Sequence, residues 1–457
     1  MIKDDRSEPA DVSSAAKPGR RMSLAAPPRR VGVAHTRPVR MGARLGTVRL
    51  AAVVGLVAFV LLASGCHPGG VGAAGSIRAM WVTRWDYKTP GDIAAVMENC
   101  RWAGFNTVLF QVRGNGTALY RSKIEPWAKE FGGRDPGFDP LAVACREAKR
   151  RGLDLHAWVN VMPGWRGKAP PTDRRQLYHT HPDWFWRDAR GRRQPLGWYN
   201  SLNPCYPEVR RYIVAVMHEI VAGYPVDGLH LDYIRFPNEW NNAYPTGAVV
   251  PDYPRDPRTL AMFRRATGTT PDRAPARWNA WRTDQVTQLV RDIAGMVRHT
   301  RPRVRLTAAV GPVPADAKRR HFQDALRWID EGLVDAVFPM NYTAGMDVFN
   351  ARLAAWRRAA TRVPVVVGVS LEKGDPPTVA AQVERACTEA GHVAAFAYSL
   401  LFERRDTAGR PIFDAQSEQR AALRHRVASL LRARHRIPVI ASRPSTTAAQ
   451  HGRANLH

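Results

Sequence analysis

Apolar runs of strand length alternate with amphipathic helical patterns through most of the chain from residue 77 onward. Several runs are apolar at nearly every position, which is typical of strands buried on both faces beneath crossover helices. The runs predict eight strands at residues 77–83, 107–113, 154–160, 226–234, 303–310, 334–341, 363–370 and 393–399.

Segments with helical periodicity follow each of these runs. One of them shows both boundary signals, because Asp139-Pro140 suits a helix start and Gly152 suits a helix end. The periodic segments predict eight helices at residues 91–103, 139–151, 207–223, 278–300, 322–331, 348–360, 377–390 and 415–431.

The alternation predicts an α/β fold, a (βα)8 TIM barrel. An open doubly wound sheet is the alternative, but Thr83 to Asp86 follow the first strand where a glycine-rich phosphate loop would be needed. The longest connections, residues 114–138, 161–206 and 237–277, follow strands two, three and four. They belong to the C-terminal face, where barrel active sites form.

The fourth predicted strand ends at charged residues, in the sequence DGLHLDYIRFP at residues 227–237. Period-two alternation places Gly228, His230 and Asp232 inside the barrel, so Asp232 points into its mouth. A carboxylate there can act as a nucleophile or stabilise an oxocarbenium-like transition state in glycoside hydrolysis. A structural salt bridge with Arg235 or Arg113 is the alternative role for Asp232.

Several distinctive motifs occur in order between residues 77 and 237. They are RAMWVTRWD (78–86), FNTVLFQVRGNGTALYRS (105–122), EPWA (125–128), GLDLHAWVN (152–160), HPDWF (181–185), NP (203–204), PEVRRYI (207–213) and DGLHLDYIRFP (227–237). Through these motifs the chain resembles the glycosyl-hydrolase-like 10 family of bacterial envelope proteins. The resemblance implies a TIM barrel, glycan hydrolysis and, for some members, peptidoglycan strands as substrate. It also supports Asp232 as a catalytic residue.

A second catalytic carboxylate is not evident beside Asp232. Many relatives place two adjacent acids in this motif, whereas Tyr233 follows Asp232 here. The candidates are Glu372 after strand seven, Asp86 after strand one and Glu125 in the loop after strand two, with Glu372 and Asp86 ranked equal. A separation of about 5–5.5 Å between the two carboxyl groups would indicate a retaining enzyme, and about 6.5–9.5 Å an inverting one.

Polar and aromatic side chains at the other strand ends suit a sugar site, because they can orient hydroxyl groups and cover the apolar face of a pyranose. Arg113 could also bind a substrate carboxylate through two parallel hydrogen bonds. The candidate substrate-binding residues are Gln111, Arg113, Trp158, Asn160, Arg235, Asn341, Tyr342, Tyr398, Trp85 and Trp127.

Metal and cofactor sites are not predicted. None of the cysteines forms a C-x-x-C pair, and H-E-x-x-H, P-loop and G-x-S-x-G motifs are missing from the sequence. The expectation is therefore a glycoside hydrolase without a cofactor, acting on an envelope polysaccharide. A barrel that binds glycans without cutting them is the alternative, motivated by Tyr233 and by Asn341 on strand six.

The 457 residues carry a net charge of +28, which raises the question of nucleic acid. Residues 1–50 hold eleven Lys and Arg against four acidic residues, and residues 401–457 hold the same numbers. Half of the excess therefore lies in the two ends of the chain. The remainder suits anionic envelope polymers or lipid headgroups, and nucleic acid is not an expected partner.

Residues 50–63 (LAAVVGLVAFVLLA) form an apolar run preceded by Arg44 and Arg49. The run is too short to cross a bilayer comfortably and fits the hydrophobic region of a signal peptide. The following LLASGC resembles a lipobox ending at Cys66, the expected lipidation site, although Leu62 is four residues before the cysteine instead of three. Ordinary cleavage or an uncleaved anchor is the alternative.

These features predict an exported lipoprotein, anchored to the membrane on its envelope side through the N-terminal lipid, or else a secreted protein. The predicted segments are a disordered or mis-started extension (1–40), a signal peptide (41–66), a linker (67–76), the barrel (77–433) and a flexible basic tail (434–457).

Overall fold

The barrel strands follow the apolar runs of the sequence. In the computed structural model, which describes residues 75–237, 239–360, 362–406 and 409–435, an eight-stranded parallel sheet has the order β8-β7-β6-β3-β2-β1-β10-β9. Parallel bridges Val337–Val365 and Met340–Gly368 join its two edges into a barrel. Its strands are β1 (Arg78–Val82), β2 (Thr107–Arg113), β3 (Asp154–Asn160), β6 (Gly228–Asp232), β7 (Arg305–Val310), β8 (Ala336–Pro339), β9 (Val367–Ser370) and β10 (Val393–Phe396).

Helices connect successive barrel strands, as the alternation predicts. Proline stands at one of the first two positions in most of them, where its missing N–H costs nothing. The helices between or after the barrel strands are α1 (Pro90–Trp102), α2 (Pro140–Arg150), α4 (Pro207–Gly223), α6 (Pro275–Thr300), α8 (Ala325–Asp330), α9 (Met346–Ala359), α10 (Pro376–Glu389) and α11 (Ser417–His435).

The long loops contain further short elements that periodicity did not predict. The loop after β3 contains a two-stranded antiparallel sheet and one helical turn, and shorter helices lie in the loops after β6 and β7. These elements are β4 (Pro163–Trp165), β5 (Asn200–Ser201), α3 (Leu177–Thr180), α5 (Pro257–Thr267) and α7 (Pro314–His321).

Two apolar layers surround the sheet. A small cluster fills the barrel and includes Trp81, Trp158 and Phe338, whereas a much larger one lies between the strands and the helices. Leu229 and Leu231 of β6 belong to the outer cluster. The side chains of β6 therefore alternate between the two layers as predicted.

Three predicted strands end earlier in the structure than the apolar pattern indicated. β6 ends at Asp232 because Tyr233 has a φ of 49°, in the left-handed region that no strand continues through. β8 ends at Pro339, so Asn341 lies beyond the strand. β10 ends at Phe396, and Tyr398 begins a 3-10 turn (Tyr398–Leu400) instead of ending the strand.

The predicted segments at the chain ends fall mostly outside the described residues. The signal peptide, Cys66 and almost all of the linker and basic tail lie there. The last helix reaches His435, two residues beyond the predicted end of the barrel. Within the described ranges, no helix combines the length and apolarity needed to cross a membrane.

Candidate active site

Asp232 is the inward-facing carboxylate at the C-terminal end of β6. It is buried, and it lies opposite Asn160, the last residue of β3, in the parallel register. The main-chain oxygen of Asp232 accepts a 2.8 Å hydrogen bond from the N–H of Val161. The end of β3 therefore holds the main chain that carries this carboxylate.

Two donors from the following turn contact the Asp232 side chain. Its Oδ1 accepts hydrogen bonds from the Tyr233 N–H at 2.7 Å and from Arg235 Nη1 at 3.4 Å. The backbone of Tyr233 itself is left-handed, which costs about 1–3 kcal/mol for a non-glycine residue. Backbone strain of this kind clusters at functional sites.

Tyr342 follows β8 at the C-terminal face of the barrel. Burial raises the pKa of Tyr342 well above its ordinary value, and the charges of Asp232 and Glu372 raise it further, against Arg235. The charges of both carboxylates therefore influence this one hydroxyl group. Glu372 is exposed two residues after β9, and the Tyr342 hydroxyl stays protonated at neutral pH.

An aromatic floor supports these groups. The ring of Tyr342 stacks on Phe396 with centroids 5.4 Å apart, and Trp81 meets both rings edge-on. Trp81 Nε1 donates to His230 Nε2 at 3.2 Å, so the other nitrogen of His230 carries the proton and donates to Thr307 at 2.9 Å. Burial lowers the pKa of His230 well below its ordinary value, which keeps the ring neutral.

A chain of amide and phenol groups borders the site on the β2–β3 side. Gln111 Nε2 donates to Asn160 Oδ1 at 3.3 Å, and Asn160 Nδ2 donates to the Tyr199 hydroxyl at 3.4 Å. The Tyr199 ring meets Tyr233 edge-on at 4.8 Å. The predicted binding residues Gln111 and Asn160 thus connect to the turn after Asp232.

Trp85 is the exposed aromatic residue beside this border, with 40% of its surface accessible. The guanidinium of Arg84 stacks on its ring at 4.0 Å, while Arg84 Nε donates to Glu130 at 2.6 Å. Burial alone would lower the pKa of Arg84, but Tyr199 and Glu130 outweigh it and raise the pKa. A charged, anchored side chain therefore supports an open aromatic face.

Several predicted site residues lie away from Asp232. Asn341 donates to the carbonyl of Phe349 in α9, and the Tyr398 hydroxyl accepts from Asn99 in α1, so both side chains face the helices. Asp86 accepts from the N–H and hydroxyl of Thr83 in the turn after β1.

The remaining predicted residues are buried or peripheral. Arg113 and Glu125 form an ion pair with side chains 1% and 0% exposed. Trp158 lies inside the barrel, and its Nε1 has no hydrogen-bond partner among the described residues. Trp127 is half-buried and meets Phe131 edge-on at 6.2 Å.

Sequence reasoning gave Tyr233 no role of its own in the site, and it missed Tyr199, Trp81 and Phe396. Tyr233 carried a signal, because it replaces the second acid that many relatives have. Tyr199 carried none, since its position depends on how a loop of more than forty residues folds. As for metals, no cluster of three or more His, Cys, Asp or Glu side chains suited to an ion occurs in the part of the chain that the structure describes.

The family model described as "Glycosyl hydrolase-like 10" matches residues 76–377. Glycosyl hydrolase DigH of Escherichia coli K12 is 28% identical over 325 residues, covering 62% of this chain and 66% of that protein. Glycosyl hydrolase YngK of Bacillus subtilis is 28% identical over 273 residues, covering 54% of this chain and 48% of that protein. The chain thus spans less than two thirds of these relatives' length.

The fold is also shared with solved structures of low sequence identity. A β-galactosidase from Marinomonas ef1 superposes with a TM-score of 0.54 at 12% identity, covering 79% of this chain and 59% of that one. The predicted TIM-barrel architecture is therefore confirmed.

Proposed function

The chain belongs to the glycosyl hydrolase-like 10 family, and from this membership and its barrel mouth we propose that it cleaves glycosidic bonds of a cell-envelope polysaccharide. Peptidoglycan glycan strands are the candidate substrate that the family suggests. The observation that carries the proposal is the buried Asp232 carboxylate at the C-terminal end of β6, with the exposed Glu372 two residues past the C-terminal end of β9, on the same face of the barrel.

Hydrolysis of a glycosidic bond needs two carboxyl groups with different tasks. Asp232 is buried and accepts two hydrogen bonds, which suits an ionised carboxylate that attacks or stabilises the anomeric carbon. Glu372 is exposed just past β9, where a bound glycan can reach it, and we assign it as the acid that protonates the leaving oxygen. Tyr342 keeps its proton and can donate to a sugar oxygen.

The binding contacts follow from the border of the site. Trp85 offers an open ring for the apolar face of a sugar. Gln111 and Asn160 are buried and hydrogen-bonded to each other, so they support the border of the site from inside the protein. Arg113, Asn341 and Tyr398 are bonded away from the mouth. We therefore leave these three residues out of the proposed binding set.

The assignment of the second acid is tested by comparing Glu372→Gln with Asp86→Asn. Loss of an acid that transfers a proton costs about 10²- to 10⁴-fold in rate. We expect Glu372→Gln to lower kcat on isolated glycan strands by at least about 100-fold, and Asp86→Asn to lower it far less because Asp86 serves a turn. Release of new reducing ends measures the rate, and the reverse ranking would reassign the acid to Asp86.

A glycan-binding barrel without hydrolytic activity is the second candidate function. The observation that favours it is Tyr233, which stands where many relatives have an acid. Binding of glycan strands with no new reducing ends from any envelope polysaccharide would favour this function. Measurable turnover by the wild-type protein, lost in Glu372→Gln, would exclude it.

We also propose export and lipid anchoring through Cys66, supported by the apolar run at 50–63 and the small residues before the cysteine. Cys66→Ser should abolish lipid attachment, because the cysteine thiol is the acceptor. We expect the expressed wild-type protein to partition with membranes and to gain the mass of a diacylglycerol at this residue. Unmodified wild-type protein in the soluble fraction would contradict the proposal.

A further inference from the structure

Arg113, the last residue of β2, is buried between the loops after β2 and β3. Its Nε contacts both oxygens of Glu125 at 3.0 Å, and Nη2 donates to Glu125 Oε1 at 2.7 Å. Its Nη1 donates to the main-chain oxygens of Asn160, of Val161 at 3.1 Å and of Pro163 at 3.3 Å. One planar group therefore joins a carboxylate to three carbonyls at the end of β3.

Glu125 also forms hydrogen bonds with residues other than Arg113. Its Oε1 accepts a 2.8 Å hydrogen bond from the hydroxyl of Tyr212 in α4, and its N–H donates to Ser122 Oγ. Burial alone would lower the pKa of Arg113, but Glu125 outweighs it and the pKa is raised. Arg113 is therefore charged and fixed at both ends, with a side chain only 1% exposed.

The peptide group between Asn160 and Val161 connects Arg113 to Asp232. On one side, the carbonyl oxygen of Asn160 accepts from Arg113 Nη1. On the other, the N–H of Val161 donates to the main-chain oxygen of Asp232 at 2.8 Å. A single rigid peptide plane thus carries both hydrogen bonds. A rotation of this plane at the carbonyl side therefore also moves the N–H that bonds to Asp232.

We propose that Arg113 is a positioning residue for Asp232: it fixes the Asn160–Val161 peptide, and through that peptide the main chain that places the Asp232 carboxylate. The consequence for turnover rests on the proposed function, whereas the mechanical link does not. Arg113 does not contact the substrate in this account, since its donors are engaged inside the protein. A misplacement of about 1 Å at a reacting group can lower a rate by about 100-fold.

The test variant is Arg113→Lys, because a lysine keeps the charge near Glu125 but cannot also bridge three carbonyls in one plane. Arg424→Lys is the matched control, since Arg424 likewise bonds a carboxylate, Glu403, and a main-chain carbonyl, that of Leu401, at 2.8 Å each. Arg424 belongs to α11, and its partners Leu401 and Glu403 come after β10, far along the chain from the Asp232 turn.

We expect Arg113→Lys to lower kcat on glycan strands at least tenfold with KM within twofold. We also expect amide exchange at Val161 to be at least tenfold faster, because the peptide that carries this N–H is no longer held through its carbonyl oxygen. Arg424→Lys should leave kcat and the Val161 amide unchanged. A purely structural role would move the melting temperature of Arg113→Lys without changing kcat or the exchange rate.

Three results would overturn the proposal. The first is a folded Arg113→Lys protein with wild-type kcat and wild-type exchange at Val161. The second is a raised KM with unchanged kcat, as expected for a substrate contact. The third is a protein that matches Arg424→Lys in every measurement. If Arg113→Lys does not fold, Glu125→Gln keeps the guanidinium but weakens its anchor, and intermediate changes in kcat and exchange are expected. Unchanged values in Glu125→Gln would then reject the link.

Failure of the proposed function gives a different result. If the wild-type protein cleaves no glycan, the hydrolase proposal fails, but the exchange rate of the Val161 amide still reports the link. Faster exchange in Arg113→Lys with normal exchange in Arg424→Lys would then support the positioning role alone. Normal exchange in both variants would reject it.

Discussion

Two buried histidines lie beneath the aromatic floor of the mouth, on β3 and β6. Thr307 joins them, at 2.9 Å from His230 Nδ1 and 3.4 Å from His156 Nδ1. Burial and then the charge of Arg305 lower the pKa of His156 to about 3, so its ring is neutral in the folded protein. The His230 ring contacts Trp81, and both histidines are buried, so we treat them as structural groups.

The neutral ring of His156 predicts how stability depends on pH. Below pH 6.5 the unfolded chain protonates this histidine, whereas the folded chain does so only near pH 3. Unfolding therefore takes up a proton in this window, and stability falls as the pH falls. His156 should account for about 2 kcal/mol of the loss between pH 7 and pH 5.

Urea unfolding of His156→Gln at pH 7 and pH 5 checks this expectation. The variant should be less stable than wild type at pH 7, since its amide replaces a packed ring against Gly228. Its loss on acidification should be smaller by about 2 kcal/mol. An equal loss in both proteins would show that His156 is not the titrating group.

At the level of elements, the hydrophobic periodicity of the sequence was sufficient to predict the barrel strands and the helices that connect them. The bounds predicted for strands two and three, 107–113 and 154–160, match β2 and β3. A largely apolar run of this length is typical of a strand that is buried on both faces. Short elements such as β4 and α5 were missed. Their formation depends on contacts made after the barrel closes, not on a repeating pattern of their own.

Part of the candidate site was also predictable from the sequence. Inward alternation along β6 identified Asp232 correctly as an inner-face residue, since that follows from a period of two. The same reasoning misplaced Tyr398 and Asn341, because it assumed strands that continue to residues 399 and 341. Where a strand ends is decided by local backbone geometry that the apolar pattern does not encode.

The start of α1 offers a test of element stability. Thr89 Oγ1 accepts from the Asp92 N–H at 3.1 Å, and Asp92 accepts from the Thr89 N–H at 2.9 Å, which forms a capping box. Thr89→Ala should lower the free energy of unfolding by about 1 kcal/mol. Ser429→Ala, at an exposed position inside α11, is the control and should not destabilise.

Denaturant unfolding followed by far-UV circular dichroism measures both variants. A loss in Thr89→Ala no larger than in Ser429→Ala would mean that the capping box does not stabilise the helix.

At the scale of the whole molecule, the barrel has stabilising contacts at the N-terminal ends of its strands and the candidate catalytic groups at the C-terminal ends. The N-terminal ends of the strands are closed by contacts such as Asp227 with the Leu155 N–H, at 2.9 Å. The C-terminal ends carry Asp232, Tyr342 and Glu372 on three different strands or the turns that follow them. This division is the one that TIM barrels use for catalysis. Half of the net charge of +28 lies in the two ends of the chain, and the positive remainder on residues 51–400 suits an anionic envelope polymer.

The most direct test of the central claim compares Asp232→Asn with Asp227→Asn on isolated glycan strands. The two residues occupy opposite ends of the same β6 segment, and only Asp232 faces the mouth. We predict that folded Asp232→Asn loses at least about 100-fold in the release of reducing ends, while Asp227→Asn keeps the wild-type rate. A folded Asp232→Asn protein that cleaves glycan at the wild-type rate would contradict the account.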